Sequence, residues 1–210
     1  MNLLHHRLIR FSALAILALA SLLVLGALPQ HAVPQANSGE LLLEMEAAQS
    51  KVHWTLNTTF HTVHGTFALR RGMMRVHLAT GKATGEIIVE ATSGSSGNDG
   101  RDRKMHREVL ESSRYTDIVF RPDRVEGKIA RQGISIVQVH GAFVLHGSEH
   151  EMTVPVQAEL NAGRWTAGSK FDVPFIDWGL KNPSNFFAKV NHAVEIELEL
   201  KGSFKESNGS

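Results

Sequence analysis

Apolar and polar residues alternate along most of the chain from residue 50 onward. The clearest run lies near the C-terminal end, where Val194, Ile196, Leu198 and Leu200 are each separated by a glutamate. Successive side chains of a β-strand point to opposite faces, so each such run predicts a strand with one face in the core. Similar runs cover residues 52–56, 60–69, 86–91, 118–125, 134–145, 152–160 and 164–175.

Short turns that contain glycine separate these runs, as at Gly72, Gly127, Gly133 and Gly147. About eight strands joined by short turns predict an all-β antiparallel barrel or sandwich. Only residues 103–113 show a helical pattern, with Met105, Val109 and Leu110 on one face and Asp102 as the expected N-cap. The Gly/Ser-rich loop of residues 93–100 is long enough for this helix to lie across the mouth of a barrel.

The N-terminal residues follow a different pattern. Arg7 and Arg10 precede an uncharged apolar run over residues 11–28, which is typical of an export signal or a membrane anchor. Either interpretation sends the remainder out of the cytoplasm, because the basic flank stays inside. We therefore expect a signal or anchor helix at residues 1–30, a linker at 31–49, the barrel domain at 50–202 and a polar tail at 203–210.

Composition narrows the classes of partner. Apolar residues make up 42% of the 210-residue chain and the formal net charge is +1, which disfavours a nucleic-acid partner. The chain has no cysteine, so thiolate metal sites and thiol nucleophiles are excluded. Glutamates on the exposed face of the last strand discourage edge pairing, but both a monomer and a homodimer stay open.

Four groups of residues, in this order along the chain, resemble the YceI-like family. The first combines SKVHW at residues 50–54 with FHTVHGTF at residues 60–67. The second runs from EATS at residues 90–93 through GRDRKM at residues 100–105 to IVF at residues 118–120. The third is HGAFVLHG at residues 140–147, and the fourth is DWGLKNPS at residues 177–184. With VEI at residues 194–196, which closes the barrel in this resemblance, they extend over roughly residues 50–202 of the chain.

This resemblance implies a lipocalin-like, eight-stranded antiparallel barrel in the periplasm that binds a polyisoprenoid or a similar long-chain lipid. We expect an isoprenoid, an isoprenoid quinone or a fatty-acyl chain as the ligand, no cofactor and no enzymatic activity. A barrel of about eight strands can hold one small ligand, and each buried CH₂ contributes about 0.8 kcal/mol. The large apolar side chains expected to line the pocket are Trp54, Phe67, Met105, Leu110, Phe120, Phe143, Trp165 and Phe171.

Polar residues at the mouth are candidates for binding the ligand head group: His61, His64, His146 and Trp178. His61 and His64 are three residues apart and point to opposite faces of a regular strand, unless a bulge near Gly65 brings them together. His146 flanks a short turn together with His150.

The histidines also support an alternative, which is a metal-binding protein or a metal-dependent hydrolase or isomerase on the same barrel. Their spacing matches no known ligand signature, and the chain has neither HExxH nor GxSxG. Asp102, between Arg101 and Arg103, is better explained by helix capping and ion pairing than by acid–base catalysis.

Overall fold

The computed structural model describes residues 39–184 and 189–207. The predicted signal or anchor at residues 1–30 and residues 31–38 of the predicted linker lie outside these ranges. Nine antiparallel strands make up most of the described chain. They are β1 (Glu40–Met45), β2 (Lys51–Asn57), β3 (Thr62–His77), β4 (Ala83–Ser95), β5 (Asp117–Glu126), β6 (Gly133–Leu145), β7 (Ser148–Asn161), β8 (Arg164–Val173) and β9 (Val194–Ser207).

The sheet closes on itself because its first and last strands share neighbours. A 3-10 turn, Ala47–Gln49, separates β1 from β2, and both strands pair with β3 on one side and β9 on the other. The two segments therefore occupy one position of the barrel, end to end. The other strands pair in chain order from β3 to β9. This arrangement confirms the predicted eight-stranded antiparallel barrel.

Two hairpins show how the sequence fixes the strand register. His146 and Gly147 link β6 to β7 with φ angles of 52° and 78°, directly after the pair Leu145↔Ser148. Ala162 and Gly163 link β7 to β8 with φ angles of 48° and 78°. A two-residue turn with positive φ at both positions matches the right-handed twist of the flanking strands.

Buried apolar side chains form two clusters, one toward each end of the barrel. Leu41, Val76, Leu160 and Trp165 belong to the cluster at the closed end. The second cluster lies at the end that we call the mouth, where the helical segment packs against the barrel. It contains Val109, Leu145, Val173, Phe175 and Leu180.

The barrel extends past both expected ends of the domain at residues 50–202. Strand β1 precedes residue 50 and buries Leu41 and Leu43 in the core. Strand β9 continues to Ser207, through residues expected to be a polar tail, because residues 202–207 pair with β1. Within the described ranges, no helix has the length and apolar character needed to cross a membrane.

The helical segment begins earlier than residue 103. Helix α1 (Asp99–Lys104) continues into one π-helical turn, Met105–Val109. The expectation that Asp102 is the N-cap is wrong. Asn98 caps the helix instead, since its side-chain oxygen accepts a hydrogen bond from the Arg101 amide at 3.0 Å.

Candidate functional site

The barrel encloses two apolar cavities, one behind the other. The inner cavity has a volume of about 140 Å³ and lies toward the closed end. The outer cavity, of about 460 Å³, lies at the mouth. Ile118 and Phe143 line both. A ligand that entered from the mouth would first meet the larger cavity and would pass these two side chains only to reach the smaller one.

The inner cavity has walls of aliphatic and aromatic side chains. Its few polar lining residues are Ser135 and Ser169, and Trp165 forms part of its wall. Side chains on the inward faces of β6, β7 and β9 lie on the cavity walls. Val139, Val154 and Leu198 line the inner cavity, Ile196 lines the outer one and Phe143 lines both. This hollow interior is the arrangement that a carrier of an apolar ligand requires.

The outer cavity lies between the barrel wall and the helical segment. Val63 and Trp54 line it from β3 and β2, and Met105 and Val109 line it from the π-helical turn. Its polar lining residues are Thr58 and His61 of the β2–β3 connection, and Arg101 and Lys104 of α1.

Two polar contacts hold the helical segment against the end of β4. The carboxylate of Asp102 accepts hydrogen bonds from the Ser96 amide, at 2.9 Å, and from the side chains of Ser95 and Ser96. Burial opposes the ionisation of Asp102, but these hydrogen bonds outweigh it and hold the pKa below 3.8. His106 Nε2 donates to the Gly94 carbonyl at 2.8 Å, while its Nδ1 lies 2.9 Å from the Ser112 hydroxyl.

All eight apolar residues expected from the sequence lie on a cavity wall. That they contact a ligand stays a prediction. Trp54, Phe67, Met105 and Leu110 line the outer cavity, Phe120, Trp165 and Phe171 line the inner cavity, and Phe143 lines both.

Only His61 of the predicted head-group residues lines the outer cavity. His64 is exposed, and its Nδ1 lies 3.0 Å from Thr55 Oγ1. The register of β2 with β3 is regular from Thr62 to Phe67, so no bulge brings the two histidines together. The bulge near Gly65 occurs on the other side of β3, where its register with β4 shifts.

The other two predicted head-group residues do not line the outer cavity, although Trp178 packs against Phe143 of its wall with 5.6 Å between ring centroids. His146 lies against the ring of Tyr115, and its Nε2 is 2.8 Å from Glu111 Oε2. Trp178 stacks on His150 with 4.1 Å between ring centroids. His146 and His150 therefore do not face each other across the β6–β7 hairpin.

Sequence reasoning missed one group with the geometry of a metal site. Asp123, His140 and Glu151 come from three adjacent strands on the outside of the barrel, and their ligand atoms lie within 4.8 Å of one another. His140 Nδ1 is 2.8 Å from Asp123 and its Nε2 is 3.2 Å from Glu151. A register shift between Pro122 and Arg124 makes Asp123 the irregular residue of β5. Alternation alone does not reveal such a position.

Gly65 makes room for the indole of Trp54, so replacing this glycine by alanine is expected to destabilise the mouth. A Cβ at residue 65 would lie 2.3 Å from Trp54 Cε2 and 2.3 Å from the Ser95 carbonyl oxygen. We expect Gly65→Ala to lower the free energy of unfolding by about 1–3 kcal/mol in urea titrations. Gly168→Ala is the matched control, since its added Cβ has no neighbour closer than 3.9 Å. Equal unfolding midpoints for the two variants would show that the contact is unimportant.

Comparisons with known proteins agree with this architecture. A sequence model of the YceI-like domain matches residues 43–202. Among solved structures, Burkholderia cenocepacia BcnA is 15% identical with a TM-score of 0.63, over 75% of this chain and 98% of that one. A polyisoprenoid binding domain from Saccharophagus degradans, implicated in plant cell wall breakdown, is 14% identical with a TM-score of 0.56, over 77% and 97% of the two chains.

A third solved structure, the Campylobacter jejuni YCEI protein, is 12% identical with a TM-score of 0.50, over 66% of this chain and 80% of that one. A search of curated proteins found no match. At these identities, the structural likenesses show the fold.

Proposed function

Since this chain belongs to the YceI-like domain family, we propose that it binds one long-chain lipid inside its barrel. The observation that carries this proposal is the outer cavity, which encloses about 460 Å³ between walls that are almost wholly apolar. Its volume is within the range of about 300–1,000 Å³ that is usual for small-molecule sites. The Saccharophagus degradans relative, whose name describes polyisoprenoid binding, has the same fold.

The ligand that we propose is a polyisoprenoid, an isoprenoid quinone or a fatty-acyl chain. Each CH₂ removed from water contributes about 0.8 kcal/mol, so a chain that fills the outer cavity gains affinity without specific polar contacts. The protein would transport, store or sequester this lipid. Lipid binding explains why the cavity walls are apolar, and it assigns no catalytic role to any of the lining residues.

Export is the second part of the proposal. The basic and apolar N-terminal pattern supports delivery of the barrel to the periplasm, either free after cleavage or tethered by residues 1–30. Cell fractionation of the tagged chain tests this part independently of lipid binding. Recovery of the barrel in the cytoplasm would contradict it.

Native mass spectrometry tests the lipid-binding part. The chain is expressed in full, recovered in its exported form and measured before and after extraction with organic solvent. We expect an adduct of several hundred daltons that the solvent removes and that tandem spectra identify as a lipid. A chain that carries no adduct and gains none when incubated with bacterial lipid extract would overturn the proposal. One equivalent of bound metal in place of lipid would favour the metal-binding alternative.

A further inference from the structure

Two large apolar side chains are exposed on the outer wall of the barrel near its closed end. Ile134 and Ile136 are two residues apart on β6, so they point to the same side, and they are 61% and 74% exposed. Their cross-strand neighbours on β7, Glu159 and Gln157, are polar. Single apolar residues are common on protein surfaces, whereas neighbouring ones on one face indicate contact with another surface.

Lysines without a carboxylate partner lie at the same end. A Cβ at Gly127 would be 3.1 Å from the Ile136 carbonyl oxygen, so the next residue, Lys128, lies beside the isoleucines. Lys82 is at the β3–β4 turn, and Lys205 is on β9 opposite β1. The ion pairs within residues 39–184 and 189–207 include none of these three lysines. Glu159 is also absent from these pairs, so it is the carboxylate that offsets part of their charge.

The chain enters the barrel at this end too. Gly39 precedes β1, and its carbonyl accepts a hydrogen bond from the Leu78 amide at 3.0 Å. A Cβ at residue 39 would lie 3.5 Å from the guanidinium of Arg131, which is on the loop that joins β5 to β6. The same loop leads into Ile134. The point at which the chain enters the barrel is therefore beside the loop that precedes the two isoleucines.

The connection between the apolar N-terminal run and the barrel is short. The run ends at residue 28, so the ten residues 29–38 precede Gly39. Fully extended, they span at most about 36 Å. Strand β7 has 14 residues, or about 48 Å of strand, and a tilt of about 35–45° makes the barrel about 34–39 Å tall. In a tethered chain the closed end reaches the membrane easily, whereas the mouth would need the connection fully stretched along the wall.

We propose that the closed end of the tethered protein docks on the surface of an anionic membrane, through Ile134, Ile136 and Lys128, with the mouth directed away from that surface. This inference rests on the proposed function, and in particular on tethering by residues 1–30. Exposed apolar side chains bind a membrane interface by burying their surface among the head groups, and lysines close to an anionic surface add an attraction that salt screens. The cavity would then load and unload on the side away from the anchoring membrane.

Fluorescent labels measure this orientation. The chain has no cysteine, so a single introduced cysteine carries one label. The full chain is made by cell-free synthesis, which keeps residues 1–30, on vesicles of equal parts phosphatidylcholine and phosphatidylglycerol with a nitroxide head-group lipid as quencher. Gln132→Cys labels the loop between β5 and β6, and Phe60→Cys labels the mouth, where Phe60 is 72% exposed. Because the height of the barrel separates the two positions, we expect quenching about threefold or more stronger at residue 132.

Variants assign the contact to the closed end. Replacing both isoleucines, Ile134→Thr with Ile136→Thr, keeps β-branched side chains and should lower quenching at residue 132 about threefold. Phe60→Thr is the matched control, because it removes an exposed apolar side chain at the other end and should leave that quenching unchanged. Lys128→Gln should lower it about twofold, as should vesicles of phosphatidylcholine alone for the wild-type chain. Circular dichroism checks that each variant keeps the barrel.

Three results would overturn the inference. Quenching at residue 60 that equals or exceeds quenching at residue 132 would mean that the closed end does not face the membrane. Equal quenching with and without the two isoleucines would mean that they do not contact lipid. Energy transfer between copies labelled at residue 132, at a low ratio of protein to lipid, would mean that a second copy covers them. None of these results affects lipid binding in the barrel, whereas a chain that washes off the vesicles would contradict tethering as well.

Discussion

Replacing Val63 by tryptophan is expected to abolish most of the lipid binding while leaving the barrel folded. Val63 is buried on β3 and its side chain points into the outer cavity. An indole at this position would occupy space that the ligand needs, and the empty volume of about 460 Å³ relieves much of the cost of overpacking. We expect at least about a tenfold loss of affinity, or about 1.4 kcal/mol, when the lipid-stripped chain is titrated with palmitic acid or farnesol.

Thr62→Trp provides the control for this prediction. Thr62 is the preceding residue of the same strand and is exposed, so an indole there adds the same volume outside the barrel. Its lipid content and affinity should match those of the wild-type chain. Full retention of copurified lipid by Val63→Trp would mean that the ligand binds elsewhere, and the outer cavity would lose its assigned role.

Alternation predicted an antiparallel β structure with an apolar interior, and the family resemblance narrowed this prediction to an eight-stranded barrel. The period of two in β7 and β9 assigns side chains to the inward face wherever pairing is regular, and all eight predicted pocket residues do lie on a cavity wall. His61 precedes β3 and lines the outer cavity, whereas His64 lies on the strand and does not line it. Strand β1 was left out because its run Leu41, Leu42 and Leu43 does not alternate.

The rim of the site was harder to predict because it depends on how the helix is capped. Asn98 and Asp102 are both acceptable N-cap residues, and only the folded chain shows that Asp102 binds back to Ser96. Moving the start of the helix to residue 99 brings Arg101 into the helix beside Lys104. The spacing of these two cations was present in the sequence, but Arg101 had been attributed to an ion pair with Asp102.

The outer face was the least predictable part. Asp123, His140 and Glu151 are brought together by the pairing of three strands and by one irregular residue in β5. Neither the pairing of the three strands nor the irregular residue can be recognised from residues that are close together in the sequence. The histidines that the sequence singled out for metal binding are instead divided among the outer cavity, Thr55, Glu111 and Trp178.

Trp165→Ala is expected to cause the largest loss of stability in this chain. Trp165 is 4% exposed at the closed end of the barrel, and its Nε1 donates to the Ser203 carbonyl at 3.0 Å. Truncation of a buried tryptophan costs about 3–5 kcal/mol, a large share of the stability of a single domain. Urea unfolding followed by circular dichroism measures it, and a loss below about 1 kcal/mol would show that the closed end collapses to fill the space.

Replacing each of the two buried tryptophans by phenylalanine separates the contribution of the hydrogen bond to stability from the contribution of packing. Trp165→Phe keeps a ring but loses the bond to Ser203, so it should cost at least about 1 kcal/mol. Trp54 is buried to a similar degree, but its Nε1 has no partner among the described residues. Trp54→Phe removes an unsatisfied donor and should cost less than Trp165→Phe, since the penalty for burying that donor disappears with it. A larger loss of stability for Trp54→Phe than for Trp165→Phe would mean that Trp54 Nε1 donates to an acceptor in solution. A ligand bound in the outer cavity would be the first candidate for this acceptor.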